Sequence, residues 1–567
     1  MKAVSKRSAP APLPPVPFNI SQAFRTTLEN GLRVVILENS RLPLVSYRLV
    51  FNTGDIDDPA DSIGLTSATA SMLTEGTEMY SSRELAEKVE RLGANLSASS
   101  SDDFTAISGS ALALYNSELL QLIAEVTFRP TFPENELDLY RRNMIENLKF
   151  QRSQPSFLAG EQTARLVYQN HPYARISPTA ADIEKLTRPM LEKYHDRAYL
   201  PNDAVMIVVG EVERESVLAE VNELFGEWEQ GSGEEALHPL PKHLESSRLT
   251  IVDRPGSAQS NIVLSNLAIK RDDPDYFAVL VMNQVLGAGA SSRVFMNLRE
   301  EKGYTYGAYT RIDAKRLAGD FEATAEVRTA VTGDSLKEFF YELNRIRDED
   351  VLPAELADAK NFLTGVFPIR AETQEGLTNL IVTQELYGLS EDYLQTYREN
   401  VAAITVDDVR RVAMKYIHPD NLAIVIVGDA VEVLPQVEGS ATEVEIRDTD
   451  GNPKPLAETA ALNGETADFG GEWDLSLDFQ GQTVPVSLVV TQTDASVTGT
   501  LQTVLGSGQI TGGSVRGSTL SATANTEIQG QNVEFIITGI LDDGTLSGTI
   551  SAGIIPDSLN FTGSRKT

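Results

Sequence analysis

Residues Tyr194 to Val212 read YHDRAYLPNDAVMIVVGEV, and Tyr416 to Val433 read YIHPDNLAIVIVGDAVEV. In each, a helical stretch ends in a tyrosine, a Pro-Asn-Asp or Pro-Asp-Asn turn follows, and an apolar run closes on Val-Gly-Glu or Val-Gly-Asp. A β-branched run of this kind suits a buried strand, with Pro and Gly marking its turns. Both stretches begin in amphipathic helix patterns, LTRPMLEKYHDRA and ITVDDVRRVAMKY. The chain therefore contains a diverged internal duplication.

Each copy opens on strands and continues into helices. GLRVVILEN and LVSYRLVFNTG precede LAEKVERLGA and LDLYRRNMIENLKFQ in the first copy. RLTIVDR and SNIVLSNLAI precede DYFAVLVMNQVLG and LKEFFYELNRIRDE in the second. Strands followed by helices, without regular βαβ alternation, indicate two α+β sandwich domains on largely antiparallel sheets. The first copy spans 24–228 and the second 247–434, joined by a hinge linker at 229–246 that would let them move relative to each other. A Pro-rich tether, 1–23, precedes them. Residues 435–470, rich in Glu, Thr, Ala, Gly and Pro, read as a flexible linker. From Gly471 to Thr567 short alternating strands such as VPVSLVVTQ and VEFIITGIL predict a small all-β antiparallel barrel or sandwich. Trp473 is expected to plug it, with bends at Gly499, Gly539, Gly548 and Gly563.

With 567 residues, 41% hydrophobic and 23% charged, the chain has globular composition and length for several domains. A net charge of -33 argues against nucleic-acid binding and suits a basic partner or general solubility. The absence of cysteine removes disulfides and thiol chemistry. No apolar run reaches the roughly 18–20 residues of a membrane span. The start, MKAVSKRSAPAPLPPVPF, has no apolar core, so it matches an exported, periplasmic chain after signal removal or a cytoplasmic one. Only His171, His195, His238, His243 and His418 occur, none three or four residues from another as a helical zinc pair requires. His238 and His243 lie in the Pro-containing linker and are expected to be solvated.

Two tracts carry the functional reading. Gly64 to Thr77 is GLTSATASMLTEGT, and Gln284 to Tyr309 is QVLGAGASSRVFMNLREEKGYTYGAY. The first resembles the metal-binding helix of the M16 (pitrilysin-like, inverzincin) peptidases, where His-x-x-Glu-His sits between a Gly-Leu lead-in and a Met-Leu-x-x-Gly-Thr tail. Here the two His positions are Ser67 and Ser71, and the Glu position is Ala70. Serine and alanine supply neither imidazoles nor a carboxylate to activate a metal-bound water. The family's third ligand, a Glu, should fall near 146–148; Glu146 is the acid there, and it reads better as a helix-surface charge beside Arg141 and Arg142.

The second tract resembles the C-terminal half of M16 proteins, in which Ser-Ser-Arg-Leu-Phe leads to Leu-Arg-Glu-x-x-Gly-x-x-Tyr. The family's Arg and Tyr map onto Arg299 and Tyr306. The resemblance implies that they face a zinc site across a closed chamber, contact the peptide and help hold the scissile carbonyl's developing charge, roles that suit a guanidinium fork and a phenol donor. Read without it, Arg299 is a solvated helix end and Tyr304, Tyr306 and Tyr309 are ordinary strand aromatics.

The resemblance covers about Arg25 to Val433 and implies the non-catalytic subunit of a heterodimeric zinc endopeptidase. Its partner would be an M16 catalytic chain with intact His-x-x-Glu-His that carries the zinc. Its substrate would be an unfolded peptide bound partly by strand addition, and the acidic charge would favour a basic one. This chain would itself hold no metal. The other readings are an inactive M16-like scaffold or assembly protein, or a binding protein that uses the C-terminal barrel.

Overall fold

The computed structural model describes residues 18–231, 238–455, 467–479, 482–503, 506–528, 531–552 and 558–566. The first sheet comprises β1 (Phe24–Thr27), β2 (Arg33–Glu38), β3 (Leu44–Phe51), β4 (Asn95–Ser100), β5 (Thr105–Leu112) and β6 (Ala204–Gly210), in the order β1-β2-β6-β3-β5-β4. β6 is the apolar run of the opening motif, and every residue in it is buried. It pairs parallel to β2 and antiparallel to β3.

The second sheet repeats this plan. It is built from β7 (Arg248–Asp253), β8 (Gln259–Leu267), β9 (Thr305–Ala314), β10 (Gly319–Arg328), β11 (Ala423–Gly428), β12 (Glu443–Arg447) and β13 (Pro453–Lys454), ordered β13-β12-β7-β11-β8-β10-β9. β7-β11-β8-β10-β9 matches β2-β6-β3-β5-β4 strand for strand, and the parallel pair β7 with β11 corresponds to β2 with β6. The duplication legible in the sequence is thus a duplication of topology.

Each copy lends the other a helix. Pro155–Tyr168 leaves the first copy and packs on β8 and β11, so that Leu158 and Ala159 share a core with Val263 and Val425. Gln374–Leu386 leaves the second copy and packs on β3 and β6, placing Leu377 and Ile381 in one core with Val50, Val205 and Ile207. Gln374 Nε2 donates to Val209 O (2.9 Å) and Ser46 Oγ (3.1 Å), and Arg25 pairs with Glu385 at 2.8 Å. Rotation of one copy about the connection would uncover these faces, at about 1.5–3 kcal/mol per large apolar side chain.

The hinge reading of 229–246 is corrected accordingly. Residues 232–237 lie outside the described residues, but the chain from His238 onward is tied down. The His238 side chain is only 11% exposed, with Nε2 3.2 Å from Asp57 Oδ1. His243 meets His418 edge to face at 5.3 Å, and Asn421 Nδ2 donates to Leu244 O at 2.6 Å. His238 is thus not the solvated side chain expected, whereas His243 is exposed as expected, with one face against His418.

Two further boundaries move. The stretch read as a linker at 435–470 supplies β12, parallel to β7, and β13, so the second sheet continues to Lys454. An unpaired β7 edge would leave a row of backbone groups open, and the short alternation EVEIR covers it with Ile446 buried. Of that stretch, 456–466 lies outside the described residues. At the other end, 1–17 lies outside them as well, whereas Phe18 packs edge to face on Phe367 (6.3 Å) and Gln395 Nε2 donates to Ile20 O (3.2 Å). The last residues of the expected tether are therefore an anchor on the second copy.

The C-terminal strands, β14 (Gly471–Phe479) through β21 (Leu559–Arg565), close into an eight-stranded antiparallel barrel by pairing of β14 with β21. An eight-stranded barrel has an interior just wide enough to be filled by side chains. Trp473, 1% exposed, fills it with Leu488, Ile537 and Phe561, and its indole donates to Phe469 O at 2.9 Å. Gly539 and Gly548 face each other across β19 (Gln531–Asp542) and β20 (Thr545–Ala552), where a Cβ on Gly548 would lie 1.9 Å from Thr538 O.

Candidate functional site

The two tracts singled out in the sequence occupy equivalent places: the β3 to β4 connection in the first copy and the β8 to β9 connection in the second. They sit on separate sheets. The sheets touch at their hairpin tips, where Lys315 Nζ lies 2.5 Å from Asp102 and Arg316 N donates to Asp103 Oδ2 at 2.9 Å.

In the first copy the helix Leu65–Met72 is held by Asp58, whose carboxylate accepts from Gly64 N (2.5 Å), Thr66 N (2.8 Å) and Thr66 Oγ1 (2.8 Å). Ala70 is fully buried. Ser67 and Ser71 face the helix Glu134–Ser153, where the Tyr140 phenol interacts with both hydroxyls; burial pushes that phenol up to about 12. Glu146, six residues further on, is rotated by about 120° from Tyr140 at roughly 100° per residue. It points into solvent and pairs with Lys149 at 2.9 Å, with 70% of its side chain exposed. The helix-surface reading holds, although the partner is Lys149 rather than Arg141 or Arg142.

This donor set does not fit zinc. Two hydroxyls and a methyl stand where the pattern has two imidazoles and a carboxylate, and among the described residues no three His, Asp or Glu side chains converge as ligands would. Tyr140 is not legible in the sequence, because its separation from Ser67 becomes a contact only once the two helices pack.

Beside this helix, Asp55 accepts from Ser100 Oγ at 2.5 Å, and burial pushes its carboxyl up to about 7. The folded value lies above the unfolded one, near 3.8, so the ionised form opposes folding. That penalty is fully present above about pH 7 and fades as pH falls toward 4. Asp55→Asn should therefore raise the thermal midpoint relative to wild type at pH 8 and lose that advantage at pH 4.5. An advantage equal at both pH values would contradict the assignment.

In the second copy, Arg293–Phe295 runs into a π-helical turn, Met296–Glu301, a geometry often found at functional sites. Ion pairs lock it from behind. Arg293, 4% exposed, forms a two-pronged pair with Glu355 (2.8 and 2.8 Å). Asn297 Nδ2 donates to Glu338 (3.0 Å) and Glu342 (2.9 Å), and Lys302 pairs with Glu338 at 2.7 Å. On the front, the Arg299 guanidinium lies over the Phe295 ring at 5.1 Å, 3.5 Å from Glu300, with 46% of its side chain exposed. Tyr306, on β9, is 90% exposed. Both can donate hydrogen bonds outward, and the structure supplies neither with a buried partner among the described residues.

The sequence is similar to known proteins over this body. The family described as Insulinase (Peptidase family M16) matches residues 33–178, and Peptidase M16 inactive domain matches 185–363. The uncharacterized zinc protease YmxG of Bacillus subtilis is 26% identical over 287 residues, 50% of this chain and 69% of that one. The non-peptidase homolog YmxG of Helicobacter pylori is 23% identical over 405 residues, 70% of this chain and 91% of that one. A solved peptidase M16 inactive domain from Pseudomonas fluorescens superimposes with a TM-score of 0.68 at 27% identity, covering 72% of this chain and 98% of that one. The two family matches together take in more than half of the chain, in the order its two copies run. The chain therefore belongs to the M16 peptidase family.

Proposed function

We propose that the chain is the non-catalytic, substrate-binding subunit of a two-chain M16-type zinc endopeptidase. It supplies Arg299 and Tyr306 in trans to the zinc site of a partner carrying His-x-x-Glu-His. The observation that carries this reading is the asymmetry between the tracts: the first has lost its ligands, with Ser67 and Ser71 turned to the Tyr140 phenol, while the Arg/Tyr segment is braced from behind and presents both donors outward. A preorganised guanidinium and phenol suit peptide carbonyls and developing negative charge. An unfolded peptide would add to the edge of β4, which pairs only with β5 among the described residues and alternates exposed with half-buried residues.

The other reading, an inactive M16-like scaffold, accommodates the lost metal ligands, and the Helicobacter pylori relative is itself named a non-peptidase homolog. A scaffold gives no reason to brace Arg299 and expose Tyr306. The packed barrel interior argues against a ligand held inside it.

The test uses a quenched fluorescent peptide. This chain alone should give no cleavage sensitive to a metal chelator, and a mixture with a zinc-bearing two-domain chain, sought first in the adjacent reading frame, should cleave. Chelator-sensitive cleavage by this chain alone would sink the proposal.

A further inference from the structure

Strand β9 contains a bulge. Its register against β10 pairs Ala308 with Ala325 but Thr305 with Val327, so three steps on β9 oppose two on β10. The extra residue lies at Tyr306–Gly307. Bulges break the alternation of a strand and re-aim side chains near functional sites. Here Ala308 and Thr310 point into the core while Tyr306 and Tyr309, three residues apart, are both exposed. Thr305 staples the bulge: its hydroxyl lies 2.9 Å from Gly307 O and 3.1 Å from Gly307 N.

Gly307 is fixed by Tyr309. A Cβ at 307 would lie 2.7 Å from Tyr309 Cε2 and 3.1 Å from its hydroxyl, so the ring folds back over the glycine. The same ring packs at 5.5 Å on Phe295, the ring beneath the Arg299 guanidinium. A continuous row of contacts, the two rings tilted at 49° to each other, thus runs from the strand that presents Tyr306 to the arginine on the neighbouring turn.

Resting on the function proposed above, we infer that Phe295, Gly307 and Tyr309 are positioning residues that set Arg299 and Tyr306 in one fixed relation. Phe295 holds the guanidinium by a cation–π contact, the bulge turns Tyr306 outward, and Gly307 leaves room for Tyr309 to tie the two together. None of the three need touch the peptide.

The test is a mutant cycle in the mixed complex, with the folding of each variant checked by thermal unfolding. Phe295→Leu should lower kcat about 3- to 30-fold, the range of a cation–π contact, with KM little changed. Phe295→Tyr, which keeps the platform, should restore it. In an Arg299→Ala background Phe295→Leu should cost nothing further, because the ring acts only through the guanidinium. Gly307→Ala should lower kcat by a similar factor. If Phe295→Leu multiplies the loss of Arg299→Ala instead, the ring is merely structural and the inference fails. If Arg299→Ala itself is silent, the underlying function is what fails.

Discussion

Arg299→Ala and Tyr306→Phe should each cut peptide cleavage by the mixed complex about 10²-fold or more, the loss typical of removing one oxyanion donor. Neither residue supports the fold: Tyr306 is 90% exposed, and Arg299 makes a surface pair with Glu300 and a contact with Phe295. Both variants should therefore unfold at the wild-type temperature and bind the partner normally. The loss should fall mainly on kcat, since a donor aimed at developing charge acts more on the transition state than on the bound peptide. Arg299→Lys should recover little, because an ammonium cannot reproduce the planar fork or its stacking on Phe295. Activity unchanged in both variants would remove the reason for assigning this chain a role at the partner's site.

The second large effect concerns folding. Ile381 belongs to the second copy, is 1% exposed and packs in the core under the first copy's sheet. Ile381→Asp should cost about 3–5 kcal/mol, from lost burial and an unpaired buried carboxyl. The informative readout is its location. Amide exchange should accelerate in β3 and β6 of the first copy, far away in sequence, as well as in the helix Gln374–Leu386. The control Asn379→Asp, on that helix's exposed side, should change little. Unaltered protection in β6 would mean that the two copies do not share a core.

Legibility in the sequence followed the range of each signal. β6 and β11 could be read because a β-branched run between Pro-Asn and Val-Gly is a local signal, and because it occurs twice. The exchange of Pro155–Tyr168 and Gln374–Leu386 could not, since an apolar helix face states that it is buried but not under which sheet. β12 was hidden by composition: five residues, EVEIR, alternate inside a stretch whose Glu, Thr, Gly and Pro content resembles a linker.

Within the candidate site, the degenerate positions Ser67, Ala70 and Ser71 were legible as a frame without ligands, whereas Tyr140 required the packing of two helices. The Arg299 to Tyr306 spacing was legible, but the bulge beside Tyr306 was not. One extra residue in TYGAYTRIDA erases the alternation that would have revealed which face Tyr306 takes, and Gly307 beside two tyrosines is its only trace.

The most direct measurement is the initial rate of quenched-peptide cleavage as this chain is titrated into a fixed amount of the zinc-bearing partner. The rate should rise from near zero to a plateau at equimolar chains, with all bound zinc in the partner, and should show no such rise with the Arg299→Ala chain. A partner fully active alone, or an equal rise with Arg299→Ala, would show that this chain contributes nothing to the zinc site.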